Sequence, residues 1–308
     1  MTRTMGKEKG VARGRRFRYQ IDYSGYVYVA PALIFILFCS VIPIFMSIYY
    51  SFHSFNLIHA PTFVGLRNFT RMLDDPFMTV SIRNTLLLVL IVVPVQSLLA
   101  LLFAVIITSL KKNMWTGFVK SAMFVPVVAS MALVGNIWRI IMGLNQGLLN
   151  QLLGVFNIAP INWLGDRNMA LLAVCVMIIW KNIGYFMVIY IAAILDISAE
   201  YYEAAKVDGA GRFLQFLYIT LPSIKPVNYL VVLLGSIWSF QTFDAVYVMT
   251  NGGPGDATTT MVLNIYNVAF RMFNFGYGSA LAMVLFVIVM IISGAQRFAF
   301  ADRGGNKV

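Results

Sequence analysis

Residues 84–110 read NTLLLVLIVVPVQSLLALLFAVIITSL, 27 positions without an Asp, Glu, Lys or Arg. As a helix this segment is roughly 40 Å long at ~1.5 Å per residue, enough to cross a hydrocarbon layer of ~30 Å with some tilt. Helix is the conformation it must take there, because lipid offers no partner to an open backbone.

Runs of the same kind lie on both sides of it. Tyr23 to Leu66 carries no charge, with its apolar heart at Val27 to Tyr50. Ser121 to Trp138 is uncharged and its pattern continues to Met142. Met169 to Leu195 is crossed only by Lys181, Val227 to Met249 only by Asp244, and Met272 to Gln296 by nothing. The pattern predicts an all-α polytopic membrane protein with six transmembrane helices. Composition agrees: 60% of the 308 residues are hydrophobic and 11% charged, against about 25% charged in soluble domains. Mean hydropathy is +0.79. Disordered, collagenous and disulfide-scaffold classes are excluded.

The first run exceeds the 7–15 apolar residues of a secretory signal, and no A-x-A-like site follows it, so it reads as a retained helix. Pro31 and Pro43 within it are tolerable, since neighbouring helices can satisfy the freed carbonyls. Cys39 and Cys175 sit in apolar runs without metal or redox spacing and read as small buried residues.

The 23 Lys and Arg, which bring the net charge to +11, divide unevenly between alternate loops. Arg3, Lys7, Lys9, Arg13, Arg15, Arg16 and Arg18 precede the first run. Lys111, Lys112 and Lys120 follow the second. Lys206, Arg212 and Lys225 follow the fourth, and Arg297, Arg303 and Lys307 the sixth. The opposite loops hold Arg67, Arg71, Arg83, Arg167 and Arg271. Sixteen cations against five place both termini in the cytoplasm by the positive-inside rule. The basic amino terminus therefore reads as a topology signal and a contact for anionic membrane lipid, with no nucleic acid implied. The organisation expected is a basic cytoplasmic segment 1–24, a six-helix domain 25–298 containing a cytoplasmic loop 196–226, and a cytoplasmic tail 299–308.

No phosphate-binding loop of the form G-x-x-x-x-G-K-[ST] occurs, so the chain is not expected to bind or hydrolyse ATP. H-E-x-x-H and G-x-S-x-G are absent as well. His53 and His59 read as solvated or interfacial. A membrane enzyme is poorly supported, with no catalytic residue and no metal site to name; transport or scaffolding fits better.

The 196–226 loop is more specific. Ser198 is a plausible N-cap with Glu200 in the first turn, residues 199 to 208 can form nearly three turns, and Gly209 can take the left-handed conformation that ends them. A second helix is expected from Ala210 to about Thr220, broken by Pro222. The physics alone describes an amphipathic linker. The residues say more: Glu203, Ala204, Ala205, then Gly209, Ile219, Leu221, Pro222 and Pro226 resemble the "EAA" loop of binding-protein-dependent ABC importer permeases. The resemblance extends over roughly residues 25 to 298. Pro31 to Phe52, the segment Phe63 to Phe69, the stretch Phe243 to Pro254 and the segment Gly276 to Leu281 are similar to the carbohydrate-uptake branch, the maltose type.

That resemblance implies a type I ABC importer permease fold and a heterodimer with a second permease subunit. It also implies two ABC ATPase subunits that carry ATP and Mg, and an extracellular or periplasmic solute-binding protein. The location implied is the plasma membrane of a bacterium or archaeon. Glu203, Ala204, Ala205, Asp208, Gly209 and Ala210 would couple this chain to an ATPase. In maltose-type permeases the sugar lies mid-membrane, and the matching positions here are Asn182, Tyr185, Trp238, Ser239 and Thr242. The plainer reading of these five is interfacial aromatics and helix-helix hydrogen bonds. Lys181 and Asp244 could form an intramembrane ion pair; Arg139 with Asp244 or Asp166 is the alternative. Asn251 to Asp256, NGGPGD, reads as a tight reversal. The cargo this resemblance implies is a mono- or oligosaccharide or a glycerol-phosphate-like solute; an importer of a non-sugar solute and a non-transporting scaffold or receptor subunit remain alternatives.

Overall fold

The computed structural model describes residues 24–110 and 113–300. The basic segment before Ser24, Lys111, Lys112 and the tail beyond Phe300 lie outside them. The chain divides into two compact units, Met1–Met46 and Ser47–Val308.

The helix Ser24–Ile36 passes through a π-helical turn at Leu37–Val41 into Ile42–Ser51. Pro43 explains the turn. It has no N–H to donate and its ring crowds the carbonyl of Cys39. The helix widens just before it, and the Ile42 N–H reaches back to the Leu37 carbonyl instead. The same device recurs at Phe216–Thr220, where the Leu221 N–H bonds the Phe216 carbonyl directly before Pro222.

The second unit is helical apart from a two-residue antiparallel pairing of His53–Ser54 with Thr62–Phe63. All but the last residue of the opening stretch lies within one uninterrupted helix, Pro76–Ser109. Asp75 starts it, its Oδ1 accepting the Phe77 N–H at 2.9 Å, with Pro76 at the first helical position. Ala170–Leu195 and Phe275–Phe300 are also uninterrupted. With Tyr26–Ser51 they make four helices long and apolar enough to cross a membrane; two bent pairs bring the number to six.

Both bends correct the sequence expectation. The third run does not cross as one helix. It splits into Met114–Val128 and Met131–Ile141, turned by 102°. Ala129 and Ser130 are extended, and the Ser130 hydroxyl caps the second helix by accepting the Leu133 N–H at 3.3 Å. Hydropathy is blind to this break because every residue around it is uncharged. The fifth run ends early, at Phe240, and Asp244 opens a separate helix, Asp244–Met249. Before it, Arg212–Ser223 meets Lys225–Phe240 at 68°, so the chain turns at Ile224, between Pro222 and Pro226. The second loop helix therefore starts and ends later than expected. His53 is also buried, not solvated: its ring stacks on Tyr49 with centroids 4.0 Å apart and its Nδ1 donates to the Tyr49 carbonyl at 2.6 Å. Cys175 is buried as expected, whereas Cys39 is exposed.

Two cores hold the second unit. Leu88, Val92, Ala100 and Ala104 of Pro76–Ser109 pack against Val174, Met177, Phe186 and Tyr190 of Ala170–Leu195. Val89 and Val93 pack with Phe240, Tyr277, Leu281 and Leu285. Lipid tails are as apolar as leucine, so burial alone does not drive such helices together; close packing and hydrogen bonds do. Gly184 supplies one close approach, where an added Cβ would collide with the Met123 carbonyl. Asn84 supplies hydrogen bonds, its Nδ2 donating to the Asp256 carbonyl at 2.9 Å and the Thr259 carbonyl at 3.1 Å. These pin the 251–256 reversal, in which Asn251, Gly252, Gly255 and Asp256 all have positive φ.

Candidate functional site

A cavity of about 270 Å³ opens where the helix Lys225–Phe240 ends. Ile178, Lys181 and Asn182 line one wall from the middle of Ala170–Leu195. Trp238, Ser239 and the segment from Gln241 to Ala245 form the other, with Met131 beside them. The break makes the cavity. Gln241 still bonds back to Ile237, but Phe243 leaves helical geometry (φ −123°, ψ −63°). The Thr242 hydroxyl donates to the Trp238 carbonyl at 3.2 Å, and the Thr242 carbonyl accepts from Thr260 Oγ1 at 3.1 Å, which holds the irregular segment in place.

Four of the five mid-membrane positions named from the sequence line this cavity: Asn182, Trp238, Ser239 and Thr242. Tyr185 stands behind Trp238, their ring centroids 5.0 Å apart, and Phe186 packs on the same indole at 5.5 Å. The indole is thereby fixed while 38% exposed. Among the described residues the Asn182 side chain has no hydrogen-bond partner, so its amide is free to bind. The wall thus combines a held aromatic face with an amide and hydroxyls, a set suited to a neutral, polyhydroxylated ligand.

Lys181 and Asp244 line the same cavity. Among the described residues no ion pair within 4.0 Å joins Lys181 or Arg139 to Asp244 or Asp166. Lys181 is held differently. It is 9% exposed, and its Nζ donates to the Val127 carbonyl at 3.3 Å. Val127 is in the last turn of Met114–Val128, whose closing carbonyls have no intrahelical donor and carry the negative end of the dipole. The break after Val128 therefore creates the partner of the buried cation. Asp244 sits in the first turn of its helix, where a carboxylate is favoured, and is exposed.

The 196–226 loop lies at the far ends of the same two helices. Ser198 caps Ala199–Val207, accepting the Glu200 N–H at 3.4 Å. Gly209 has φ +79°. Its N–H bonds the Lys206 carbonyl at 3.1 Å, and the Ala210 N–H reaches the Ala205 carbonyl at 2.8 Å. This paired closure is a Schellman motif. Tyr202 anchors the helix through its hydroxyl, 2.9 Å from Thr220 Oγ1, and Gln215 Nε2 donates to the Ala210 carbonyl at 2.8 Å. Glu203, Ala204, Asp208 and Gly209 remain exposed, and Ala205 and Ala210 half-buried. Around them Tyr201, Val207, Phe213 and Tyr218 are 65–88% exposed.

Met131, Ile178 and Ala245, which the sequence did not point to, also line the cavity, beside Gln241 and Phe243. Gln241 and Phe243 fall in the polar interruption Ser239-Phe-Gln-Thr-Phe-Asp244 of an otherwise apolar run.

Comparison with known proteins agrees. Residues 62–302 match the family described as the binding-protein-dependent transport system inner membrane component. The chain is 34% identical over 274 residues to the probable ABC transporter permease protein YurN of Bacillus subtilis, covering 88% of this chain and 94% of that one. It is 32% identical to the lactose transport system permease protein LacF of Rhizobium radiobacter (92% and 95% covered). It is 30% identical to the trehalose/maltose transport system permease protein MalF of Thermococcus litoralis (89% and 92%). A chain from the crystal structure of a bacterial ABC transporter that imports the acidic polysaccharide alginate superposes with a TM-score of 0.81 at 20% identity, covering 93% of this chain and 97% of that one. The six-span arrangement is thus the type I importer permease fold. With a matched region that takes in both the cavity and the 196–226 loop, the chain belongs to the binding-protein-dependent transport system inner membrane components, the permease subunits of ABC importers.

Proposed function

We propose that this chain forms one half of the translocation pathway of an ATP-driven sugar importer. The carrying observation is the cavity lined by Asn182 and Trp238, which offers a fixed aromatic face beside the Asn182 amide. Relatives named for lactose and for trehalose and maltose transport support a carbohydrate cargo. In this reading Trp238 stacks on the sugar, Asn182, Ser239 and Thr242 hydrogen-bond its hydroxyls, and Tyr185 positions the indole.

The exposed loop face supports docking of an ATPase subunit at the other end. Glu203 presents a carboxylate to a basic partner residue, Ala204 and Ala205 permit close helix packing, and Gly209 sets the turn toward Asp208 and Ala210. A second permease completes the pathway, an external solute-binding protein loads it, and ATP with Mg acts on the ATPase pair, outside this chain. ATPase closure moves the loop as a rigid body and switches the access of the cavity from one side to the other. The cation distribution supports a cytoplasmic loop and cytoplasmic termini. The test is uptake by the reconstituted importer. Trp238→Ala and Asn182→Ala should reduce sugar transport at least tenfold while ATPase subunits still co-purify. Full transport in both variants would remove the cavity from the pathway.

A further inference from the structure

Between Arg139 and Asp166 the chain runs for 26 residues without an Asp, Glu, Lys or Arg. The connections that the cation count places on the same side are charged: one holds Arg67, Arg71, Asp74 and Asp75, the other Asp256 and Arg271. The uncharged connection is folded. It contains the helix Leu148–Val155, and two devices hold that helix in place. Asn150 is buried. Its Nδ2 donates to the Leu144 carbonyl at 3.0 Å and the Ile161 carbonyl at 2.9 Å, and its Oδ1 accepts the Ile161 N–H at 3.1 Å and Trp163 Nε1 at 3.0 Å. At the other end Asn157 takes φ +57°. Its N–H bonds the Gly154 carbonyl and the Ile158 N–H bonds the Leu153 carbonyl, both at 3.0 Å, the same closure as at Gly209.

Held this way, the helix has three sectors. Asn150 and Leu149 face the protein, Leu149 against the main core. Gln151 and Gly154 are exposed on a polar sector. Leu148, Leu152, Val155 and Phe156 stand at i, i+4, i+7 and i+8, so they share the third sector, and each is 52–76% exposed. The same spacing of exposed apolar residues begins on the preceding helix Met131–Ile141, at Leu133, Ile137 and Ile140, and Leu144 continues it in the link between the two. These side chains are bare although the backbone under them is tied down, so their exposure is built in.

The chemistry of the segment selects what covers it. A protein partner meets a rim of polar and charged groups around an apolar centre, and this connection has no charge to give one. Acyl chains require none. A helix with one apolar and one polar sector settles in the plane of the membrane interface, and tryptophan is enriched at that level, where Trp163 closes the segment. We propose that Leu148–Val155 is an interfacial helix. It lies in the leaflet on the side away from the 196–226 loop, with Leu148, Leu152, Val155 and Phe156 among the lipid acyl chains. The proposal rests on the chain being a membrane component and not on its cargo. Asn150 ties this helix to the end of Met131–Ile141, and Met131 lines the cavity. One wall of the cavity is thereby moored to the bilayer.

The experiment uses the complete importer, with its second permease, ATPases and solute-binding protein, in vesicles of phosphatidylethanolamine and phosphatidylglycerol. Single nitroxide labels are attached at Leu152→Cys, at Phe156→Cys and, as a control, at Gln151→Cys, in a Cys39→Ser, Cys175→Ala background. Collision with oxygen, which concentrates among acyl chains, is compared with collision with a nickel chelate, which stays in water. The labels replacing Leu152 and Phe156 should favour oxygen, at a depth of roughly 5–10 Å into the headgroup and acyl boundary, and the label replacing Gln151 should favour nickel. Preference for nickel at Leu152 and Phe156 would overturn the proposal by placing the segment in water. Protection from both reagents would overturn it in favour of a subunit interface, or of a docking face where protection requires the solute-binding protein. A second measurement needs no label. Phe156→Arg should lower the melting temperature of the importer in these vesicles and Phe156→Leu should leave it in place, whereas an unchanged midpoint in Phe156→Arg would also overturn the proposal.

Discussion

Gly209 offers a clean test of how the loop works, because its replacement perturbs only the backbone. Its φ is +79°, and a Cβ built there has nothing within 4 Å. A substitution thus meets no steric obstacle, only the cost of the left-handed conformation, about 1–2 kcal/mol for an ordinary residue and more for a β-branched one. Asparagine tolerates that conformation and sometimes closes helices in its place. The expected order of damage is therefore Gly209→Asn least, Gly209→Ala intermediate, Gly209→Val greatest. The helix it closes has nine residues, below the ~12–15 needed for a helix to persist unaided. Its stability rests on the Ser198 cap, the two closing hydrogen bonds and the Tyr202–Thr220 contact, each worth about 1 kcal/mol. Removing ~1–2 kcal/mol from so small a reserve lowers the ratio of formed to unformed helix some 5–30-fold. The assay is ATP hydrolysis by the reconstituted importer, stimulated by the loaded solute-binding protein and measured with uptake at equal amounts of assembled complex. Stimulation should fall in the stated order. Wild-type coupling in Gly209→Val, or equal damage from Asn and Val, would refute a role for this closure.

Three further outcomes follow from the packing. Gly184→Ala drives a methyl group into the Met123 backbone carbonyl, which cannot swing aside as a side chain can; a loss of about 1–3 kcal/mol is expected, read as a lower melting temperature of the purified complex. Lys181→Met removes a buried cation whose recorded partner is one carbonyl. Thermal stability should stay within about 1 kcal/mol or rise, since a well-fitting apolar group avoids the cost of burying charge; a loss above 3 kcal/mol would show that the Val127 contact is structurally required. Asn84→Ala strips the hydrogen bonds from the Asp256 and Thr259 carbonyls. It should cost about 2–3 kcal/mol and raise protease cleavage within 251–256 before any other segment opens.

How much of this was legible beforehand depended on the range of the interaction. The first helix of the 196–226 loop was readable, because Ser198, Glu200 and Gly209 act on backbone within a few residues of themselves; the bounds of the second were not. His53 was misread since its burial comes from Tyr49 and Phe63, the latter across a strand pairing. The Lys181 partner was left open because a charge count offers only charged partners. The group that binds it is a main-chain carbonyl 54 positions away in sequence, exposed by a helix break that hydropathy does not register.

The sequence by itself determined that the chain carries several helices long and apolar enough to cross a membrane, and how the first helix of the 196–226 loop is built. Length, charge and turn chemistry act locally or sum along the chain, so they survive without coordinates. The tertiary structure alone decided where the helices break and that a main-chain carbonyl, that of Val127, holds the buried Lys181. Those facts rest on which faces meet, and inside a uniformly apolar environment the faces differ by packing shape, which no one-dimensional pattern carries.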